Sequence, residues 1–588
     1  MTKDEFYILN SINNGMKGRS VCFYDLKQTI ALNKIDIFNS LKNDGYISNN
    51  NSLTNKGIDA LRPYKVDNAV ILAAGASTRF IPLSLEQPKG LFEVKGERLI
   101  ERQIKQLKDA GIKDISIVIG YKKEMFYYLK DKYDVKLIVN DSFNIKNNIE
   151  SLYLVKDELK NTYICVSDSY FIENPFNEYE YESFNAGINI NESKDEFYVE
   201  LNEDNKILSM KLKQESGKIL LGHVFWKEEF SKAFISLAKK DREIGKYKNE
   251  FWEHLVADNL DKLPDFYFKE YKEGNIFEFD YFEELRRFDD KYLGYSHSEI
   301  IRNIKLVFRC DEEDIVDFRN ISKGLTNTSF LFKIDGVDYI YRHPGSGTDK
   351  IINRKNEKNS LKIAKELGID STYIYEDSNE GWKISLYVNK FREPDYDSFN
   401  DSKKIIEVLR RLHKANIKVG YGLDPYKESC KIEKLLRKNN FDFTRYENLK
   451  SKIERLYFST LDDGVKKCFC HGDTYKPNWM IKENGEVILI DWEYAGYSDP
   501  GIDVGYYICD AMYDYDKAKE FIKEYLQDEY NYKLLKHYLA YVAIISYYWF
   551  IWGLYREMCG FVIGESLNNW LYMANKYVLF GELNENEK

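Results

Sequence analysis

From Ala69 onward the chain alternates short apolar runs with amphipathic stretches, and no other feature restricts its fold as much. AVILAAG (69–75), ISIVIG (115–120), VKLIVN (135–140) and YICVSD (163–168) read as buried strands, while ERLIERQIKQLKDAG (97–111) has the spacing of a helix. Strands separated by helices predict a largely parallel sheet with helical faces, and ligands at the carboxyl ends of its strands. At 588 residues the chain exceeds what one core organises, so flanking domains are expected on either side.

Residues 1–62 predict a small winged-helix module. Apolar residues recur helically through Phe6, Ile8, Leu9 and Ile12 and again through Ile35, Phe38 and Leu41; DGYISNNNSLT follows as a short hairpin, and Thr54 is placed to cap NKGIDAL. Such a module suggests DNA binding, but eight Lys/Arg against six Asp/Glu and a weakly basic second helix favour a structural or self-association role. Pro63 opens the connection to an α/β domain over 63–290, and a charged stretch near 283–300 is expected to link that to an α+β domain over 300–588. The last domain begins with strands: FLFKIDGVDYIYR is two runs joined at Asp335-Gly336, a hairpin signal. A helix (350–367) and a second strand pair follow, then mostly helix around a loop at 471–478 and the strand VILID. A strand-rich lobe before a helical lobe is the outline of a protein-kinase-like fold.

Residues 538–555 contain no charge, which is the lower limit for a membrane-spanning helix. Five tyrosines, a serine and two tryptophans, many of them mid-segment, instead predict a buried helix of a large domain. A net charge of -10 gives no global pull toward nucleic acid or anionic lipid. The eight cysteines are scattered, and the close pair Cys468 and Cys470 lacks the spacing of a zinc or redox motif. The opening residues carry no secretory signal, so a cytoplasmic location is expected.

The chemistry of the middle domain starts at residues 72–96, LAAGASTRFIPLSLEQPKGLFEVKG. Gly75 after a buried strand lets the backbone of Leu72, Ala73, Ala74 and Gly75 approach a phosphate chain, with Ser77 beside it. Arg79 and Lys89 supply positive charge where pyrophosphate would depart. The Gly-Lys-Ser/Thr ending of a P-loop is absent. These motifs resemble the sugar-nucleotide pyrophosphorylase superfamily of nucleotidyltransferases and, within it, the bacterial phosphocholine cytidylyltransferases, over about 68–290. The resemblance implies Mg²⁺ held by Asp168 and Asp280, a nucleotide near Asn148 in NIES (148–151), and a choline head group against Trp252 and Glu253. Glu253 stands where the family commonly has Asp.

In the last domain HGDTYKPN (471–478) and ILIDWEY place an Asp in a loop, an Asn five positions on, and a second Asp after an apolar strand. That spacing suits phosphotransfer: Asp473 would orient and deprotonate a hydroxyl, while Asn478 and Asp491 would hold Mg²⁺ against ATP. The domain resembles the choline/ethanolamine kinase and aminoglycoside phosphotransferase superfamily over about 305–580. The resemblance implies a phosphate loop at GLTNTSF (324–330) with Asn327 at the nucleotide, Arg342 at the usual lysine position, and Glu357 as its ion-pair partner. It also implies Asp510 and Tyr515 as acidic and aromatic members of a choline site. Trp552 and Tyr555, three apart on the uncharged helix, and Trp549, three earlier, complete an aromatic cage for a methylated cation.

Together the two resemblances imply a bifunctional enzyme of the bacterial phosphorylcholine-incorporation type. It would phosphorylate choline with ATP and couple the phosphocholine to CTP, giving CDP-choline. Alternatives are the same reactions on ethanolamine or another amino alcohol, an aminoglycoside kinase domain, and a metabolite-sensing DNA-binding regulator.

Overall fold

The computed structural model describes residues 1–16, 32–143, 147–212, 216–248, 250–321, 327–344 and 353–582. Positions 324–326 of the expected phosphate loop, the Asn327 side chain and the start of the helix expected from 350 lie outside them. The chain forms two compact units, Met1–Glu313 and Asp314–Lys588.

In the first unit the strand Asn68–Ala73, buried at every residue, pairs in parallel with Ile115–Ile119 on one side and Thr162–Val166 on the other. Lys136–Val139 extends the parallel set beyond Ile115–Ile119. Gly217–Trp226 joins antiparallel at the other edge, and the sheet grows to nine strands. Apolar clusters cover both faces, so the Val/Ile-rich runs are continuous rather than alternating. The parallel strands end together at Ala73, Ile119, Val139 and Val166, so the loops that follow them converge on one edge.

Residues 1–62 are helical at Lys3–Met16, Leu32–Asn43 and Asn55–Leu61, with a single antiparallel bridge, Ile47 to Leu53, where the hairpin was expected. Thr54 Oγ1 accepts a hydrogen bond from the Gly57 N–H at 3.1 Å, the cap its position predicts. Phe6 packs on Tyr64 and Tyr181, which fastens this module to the sheet domain. The charged stretch expected as a linker is folded into the same unit. Glu299–Phe308 buries Ile300, Ile301 and Ile304, and Glu86 accepts from the Ile300 N–H at 2.7 Å, capping that helix from the sheet domain.

The second unit opens with a five-stranded antiparallel sheet in the order Val316–Asn320, Asn327–Ile334, Val337–Pro344, Lys383–Leu386, Tyr373–Glu376. Asp335 and Gly336 both have positive φ, the conformation a tight hairpin turn requires. The rest is helical. Tyr532–Met558 is apolar around its whole circumference and 89% of its most apolar window is buried, so the uncharged run forms the core of this unit. Gly501–Asp510 crosses it closely: a Cβ at Gly501 would meet the Tyr541 ring at 2.4 Å, and one at Gly505 the Tyr541 backbone at 2.9 Å.

Candidate active sites

A cavity of about 720 Å³ opens at the carboxyl edge of the first unit's sheet. Leu72, Ala73, Ala74, Gly75, Ser77, Arg79, Lys89, Asn148, Asp168, Glu253 and Asp280, all singled out above, line it. Gly90 explains how Lys89 arrives there. A Cβ at Gly90 would stand 2.9 Å from the Ser167 Cβ, so only glycine lets the Lys89 loop lie against the end of Thr162–Val166. Lys89 is buried, and its Nζ meets Asp168 Oδ2 at 2.6 Å. Burial pulls its pKa down, but Asp168, Glu278 and Asp280 outweigh that, so its pKa is raised and the ammonium stays charged.

Asp280 lies more than a hundred residues from Asp168, and strand pairing joins them. Ile276–Glu278 runs antiparallel to Ser169–Phe171 with Glu278 opposite Ser169, which returns Asp280 to the Asp168 end. Arg79 Nη1 is 3.8 Å from Asp280 Oδ1. Burial and the neighbouring carboxylates raise the Asp280 and Glu278 pKa values, Glu278 well above the ordinary range. Glu196 and Glu253 also line the cavity, pushed by burial up to about 8 and about 7. Glu196 and Glu278 escaped the sequence reading. Glu278 had a signal: in an extended NIFEFD, residues two apart share a face, so Glu278 accompanies Asp280. Glu196, in a polar loop, had none.

Trp252 departs from its expected place. It is buried against Trp226, ring centroids 5.3 Å apart, while Phe251, Glu253 and His254 face the cavity. The first turn of the helix Trp252–Ala257 presents Glu253 and His254 to the cavity and turns the Trp252 ring inward, away from a ligand there. Asn148 Oδ1 accepts from the Trp252 N–H at 2.7 Å and so holds this helix start to the cavity wall.

In the second unit the loop after the strand Cys468–Cys470 carries Asp473, which is buried. Asn478 Nδ2 donates to the Asp473 carbonyl at 2.9 Å and to its Oδ2 at 3.1 Å. Burial and then Asp491 raise the Asp473 pKa well above the usual range, making its carboxylate a better proton acceptor. Asp491 sits at positive φ just past Val487–Leu489. Arg342 Nη1 meets Glu357 Oε1 at 2.6 Å and stands 3.9 Å from Asp491 Oδ1. Glu357 also faces Arg354 at 2.9 Å and Lys383 at 3.5 Å; burial opposes its ionisation, yet these cations hold its pKa well below the ordinary range.

Asp510 ends Gly501–Asp510 and accepts from the Lys476 N–H at 2.8 Å and from the Tyr396 hydroxyl, which ties it to the Asp473 loop. Trp549 stacks on Tyr506 at 5.0 Å and meets Tyr494 edge-on at 5.4 Å and Trp552 at 5.3 Å. Tyr494 and Tyr506, adjacent to catalytic-motif residues in WEY and DVGYY, were missed because they sit within conspicuous acidic motifs. Tyr515 packs on Phe580 at 5.0 Å, and Tyr555 lies at the rim of the core beside Cys559. Asp503, also missed, organises the loop: its carboxylate accepts from the His471 N–H at 2.8 Å and the Gly472 N–H at 2.7 Å.

One unit thus has a nucleotidyltransferase site at the edge of a Rossmann-like sheet, and the other a kinase-like phosphotransfer loop. Residues 69–186 match the model of the MobA-like NTP transferase domain, and residues 318–575 that of choline/ethanolamine kinase. A choline-phosphate cytidylyltransferase of Streptococcus pneumoniae is 36% identical over 222 residues, 38% of this chain and 96% of that protein. A 2-aminoethylphosphonate cytidylyltransferase of Lancefieldella rimae is 30% identical, over 38% of this chain and 93% of its own length. The solved choline kinase LicA of Streptococcus pneumoniae is 25% identical, covering 48% of this chain and 100% of that one, with a TM-score of 0.42. The chain belongs to the choline-phosphate cytidylyltransferase family through its first unit and carries a choline/ethanolamine kinase domain in its second. Both kinds of enzyme reside in one polypeptide.

Proposed function

We propose that the second unit phosphorylates choline with ATP and that the first couples the phosphocholine to CTP, releasing pyrophosphate. What carries the reading is the pairing itself: the chain joins a kinase whose family makes a phosphorylated amino alcohol to a transferase whose family consumes one. In the kinase, the choline hydroxyl oxygen attacks the γ-phosphorus, the bond to the β–γ bridging oxygen breaks, ADP departs, and Asp473 takes the hydroxyl proton. Arg342, anchored by Glu357, binds the nucleotide phosphates. Asp510 with Tyr506, Trp549 and Trp552 faces the trimethylammonium, which has no N–H to donate and is held by aromatic faces and one carboxylate. Tyr555 follows Trp552 by three positions on the same helix, whereas Tyr515, packed on Phe580, is given no part in that pocket.

In the transferase, a phosphocholine oxygen attacks the α-phosphorus of CTP and the α–β bridging bond breaks. Arg79, Lys89 and the backbone amides near Gly75 meet the charge on the departing pyrophosphate. Asn148 orients the nucleotide side of the cavity, and Glu253 with Glu196 attracts the cationic head group. Mg²⁺ fits both sites by the chemistry of the donors. The first cavity has six lining carboxylates against the two cations Arg79 and Lys89, a surplus that Asp168 and Asp280 would share with one hard ion. In the second, Asn478 and Asp491 supply the oxygen donors. Bound there, the ion would neutralise phosphate charge.

Residues 1–62 serve as a structural module: Lys3 pairs with Glu182 and Phe6 is buried against the sheet domain. The described cysteines form no disulfide with one another, which suits a reducing cytoplasm. The test is ³¹P NMR of the purified chain with choline, ATP, CTP and Mg²⁺, then with each substrate withheld. Phosphocholine should appear without CTP, and CDP-choline only when CTP is added. Preferred turnover of ethanolamine or 2-aminoethylphosphonate would replace the choline assignment.

A further inference from the structure

Cys468 and Cys470 lack a zinc-motif spacing in sequence, but the fold brings them a third ligand. They lie two apart on a strand paired with Gly496–Ser498, so their side chains share a face, and their Sγ atoms are 3.6 Å apart. His413, from the end of the helix Phe399–His413, joins them; its nitrogen and both sulfurs lie within 4.8 Å of one another. The imidazole is held in place: Nε2 is 2.9 Å from Asp503 Oδ2 and Nδ1 is 2.8 Å from the Tyr525 hydroxyl.

We propose that His413, Cys468 and Cys470 form a binding site for one thiophilic cation, Zn²⁺ or Cu⁺, behind the phosphotransfer loop. Two thiolates on a tetrahedral ion with bonds of about 2.3 Å stand about 3.8 Å apart, close to the separation the two sulfurs already have. Sulfur and imidazole donors select soft or borderline ions and reject the Mg²⁺ that serves the active sites. Asp503 supplies the carboxylate that orients a metal-bound histidine, through the hydrogen bond it already makes to His413. Three ligands suffice for Cu⁺. Zn²⁺ takes a fourth, and the Tyr525 hydroxyl is the oxygen at hand. Each thiol gives up its proton on ligation, so two protons leave per ion.

The site's place gives it a role. Asp503 holds both His413 and the backbone of His471 and Gly472, so an ion fixing His413 stiffens the base of the catalytic loop. Occupancy should raise the thermal midpoint of the second unit by several degrees and leave that of the first unchanged.

The test uses the full chain, reduced and metal-free, titrated anaerobically with Co²⁺. A thiolate-to-cobalt charge-transfer band should grow to saturation at one equivalent, bleach on adding Zn²⁺, and ignore Mg²⁺. Competition of Zn²⁺ with Cu⁺, each held in a chelator buffer, shows which ion the site prefers. Cys468→Ser should lose about half of the band. In the unaltered chain, Zn²⁺ should protect Cys468 from alkylation but not the exposed Cys559. Absence of the band, an undiminished band in Cys468→Ser, or alkylation of Cys468 unaffected by Zn²⁺ would each overturn the proposal.

Discussion

Both units bury a cation against a carboxylate at the proposed phosphate site, but the two pairs differ in setting. In the first, Lys89 is bonded to Asp168, the carboxylate proposed to hold the metal. In the second, Arg342 is bonded to Glu357, a helix residue outside the proposed metal set, and only approaches Asp491. Asp168 keeps a side chain 22% exposed, whereas Glu357 is fully buried among Arg342, Arg354 and Lys383. The first pair is a piece of chemistry that water can still reach. The second is a piece of framework that happens to carry chemistry.

The largest effects should come from the groups that do chemistry in each unit. Asp473→Ala should cut phosphocholine formation by roughly 10³-fold, the scale of a lost general base, and leave cytidylyl transfer within about twofold. Asp168→Ala should do the reverse. Assaying each step with supplied substrate decides this; one substitution silencing both reactions in a folded chain would break the two-site comparison.

Next comes the framework pair. Glu357→Ala strips the shared counter-charge from buried cations and should destabilise the second unit by about 3 kcal/mol, the low end for a broken buried pair. The low end applies because Glu376, also buried and pushed up to about 7 by burial and by Glu357, can ionise and take over Arg342 from 3.8 Å. Lys89→Met should lower cytidylyl transfer by roughly 10²-fold yet shift thermal stability little, since Asp168 can be solvated. Calorimetry resolving two transitions separates the cases. Equal stability losses would show that both pairs are framework.

The same contrast explains what the sequence disclosed. Residues whose position is fixed by local spacing were legible: Gly75 and Lys89 line the first cavity, Asp473 and Asn478 meet in one loop, Asp491 follows its strand, and the Asp335-Gly336 turn and the Thr54 cap form. Arg342 and Glu357 could be paired because a strand followed by a helix constrains both. Glu196 and Asp503 could not, because each reaches its partners only through tertiary packing of segments remote in sequence. Trp252 misled for a related reason. A motif names adjacent residues, but helix phase decides which of them faces the ligand. Residues 283–300 read as a linker because their charges hide Leu285, Tyr292 and Ile300, which are buried.

A smaller effect separates the cage from the core. Trp549 touches Tyr506, Tyr494 and Trp552, so Trp549→Leu keeps an apolar filling but removes an aromatic face. The KM for choline should rise roughly tenfold, about 1.4 kcal/mol, with the KM for ethanolamine moving less. Equal changes for both amines would make Trp549 a packing residue only.

The smallest effect is a proton count, and it belongs to the first unit alone. Burial pushes Glu253 up to about 7 from an ordinary 4.5, and Glu196 to about 8. Between the unfolded and folded pKa values the folded chain holds more protons than the unfolded one, so these groups lower stability as pH rises through roughly 4.5 to 8. A bound trimethylammonium reverses the sign locally. It favours both carboxylates, lowers their pKa values and expels the protons they carry. At pH 7 Glu253 is about half protonated, so its share of the release on phosphocholine binding is about half a proton. Titration calorimetry of phosphocholine in two buffers of different ionisation enthalpy measures the total, and subtracting the Glu253→Gln result isolates that share. The difference should vanish by pH 9, where Glu253 is ionised before the ligand arrives. Phosphocholine should also stabilise the first unit more at pH 8 than at pH 6, because only at the higher pH does it find charged carboxylates to relieve. Identical proton counts for the two chains at pH 7 would remove Glu253 from the head-group site and leave the cation to Glu196 and Phe251.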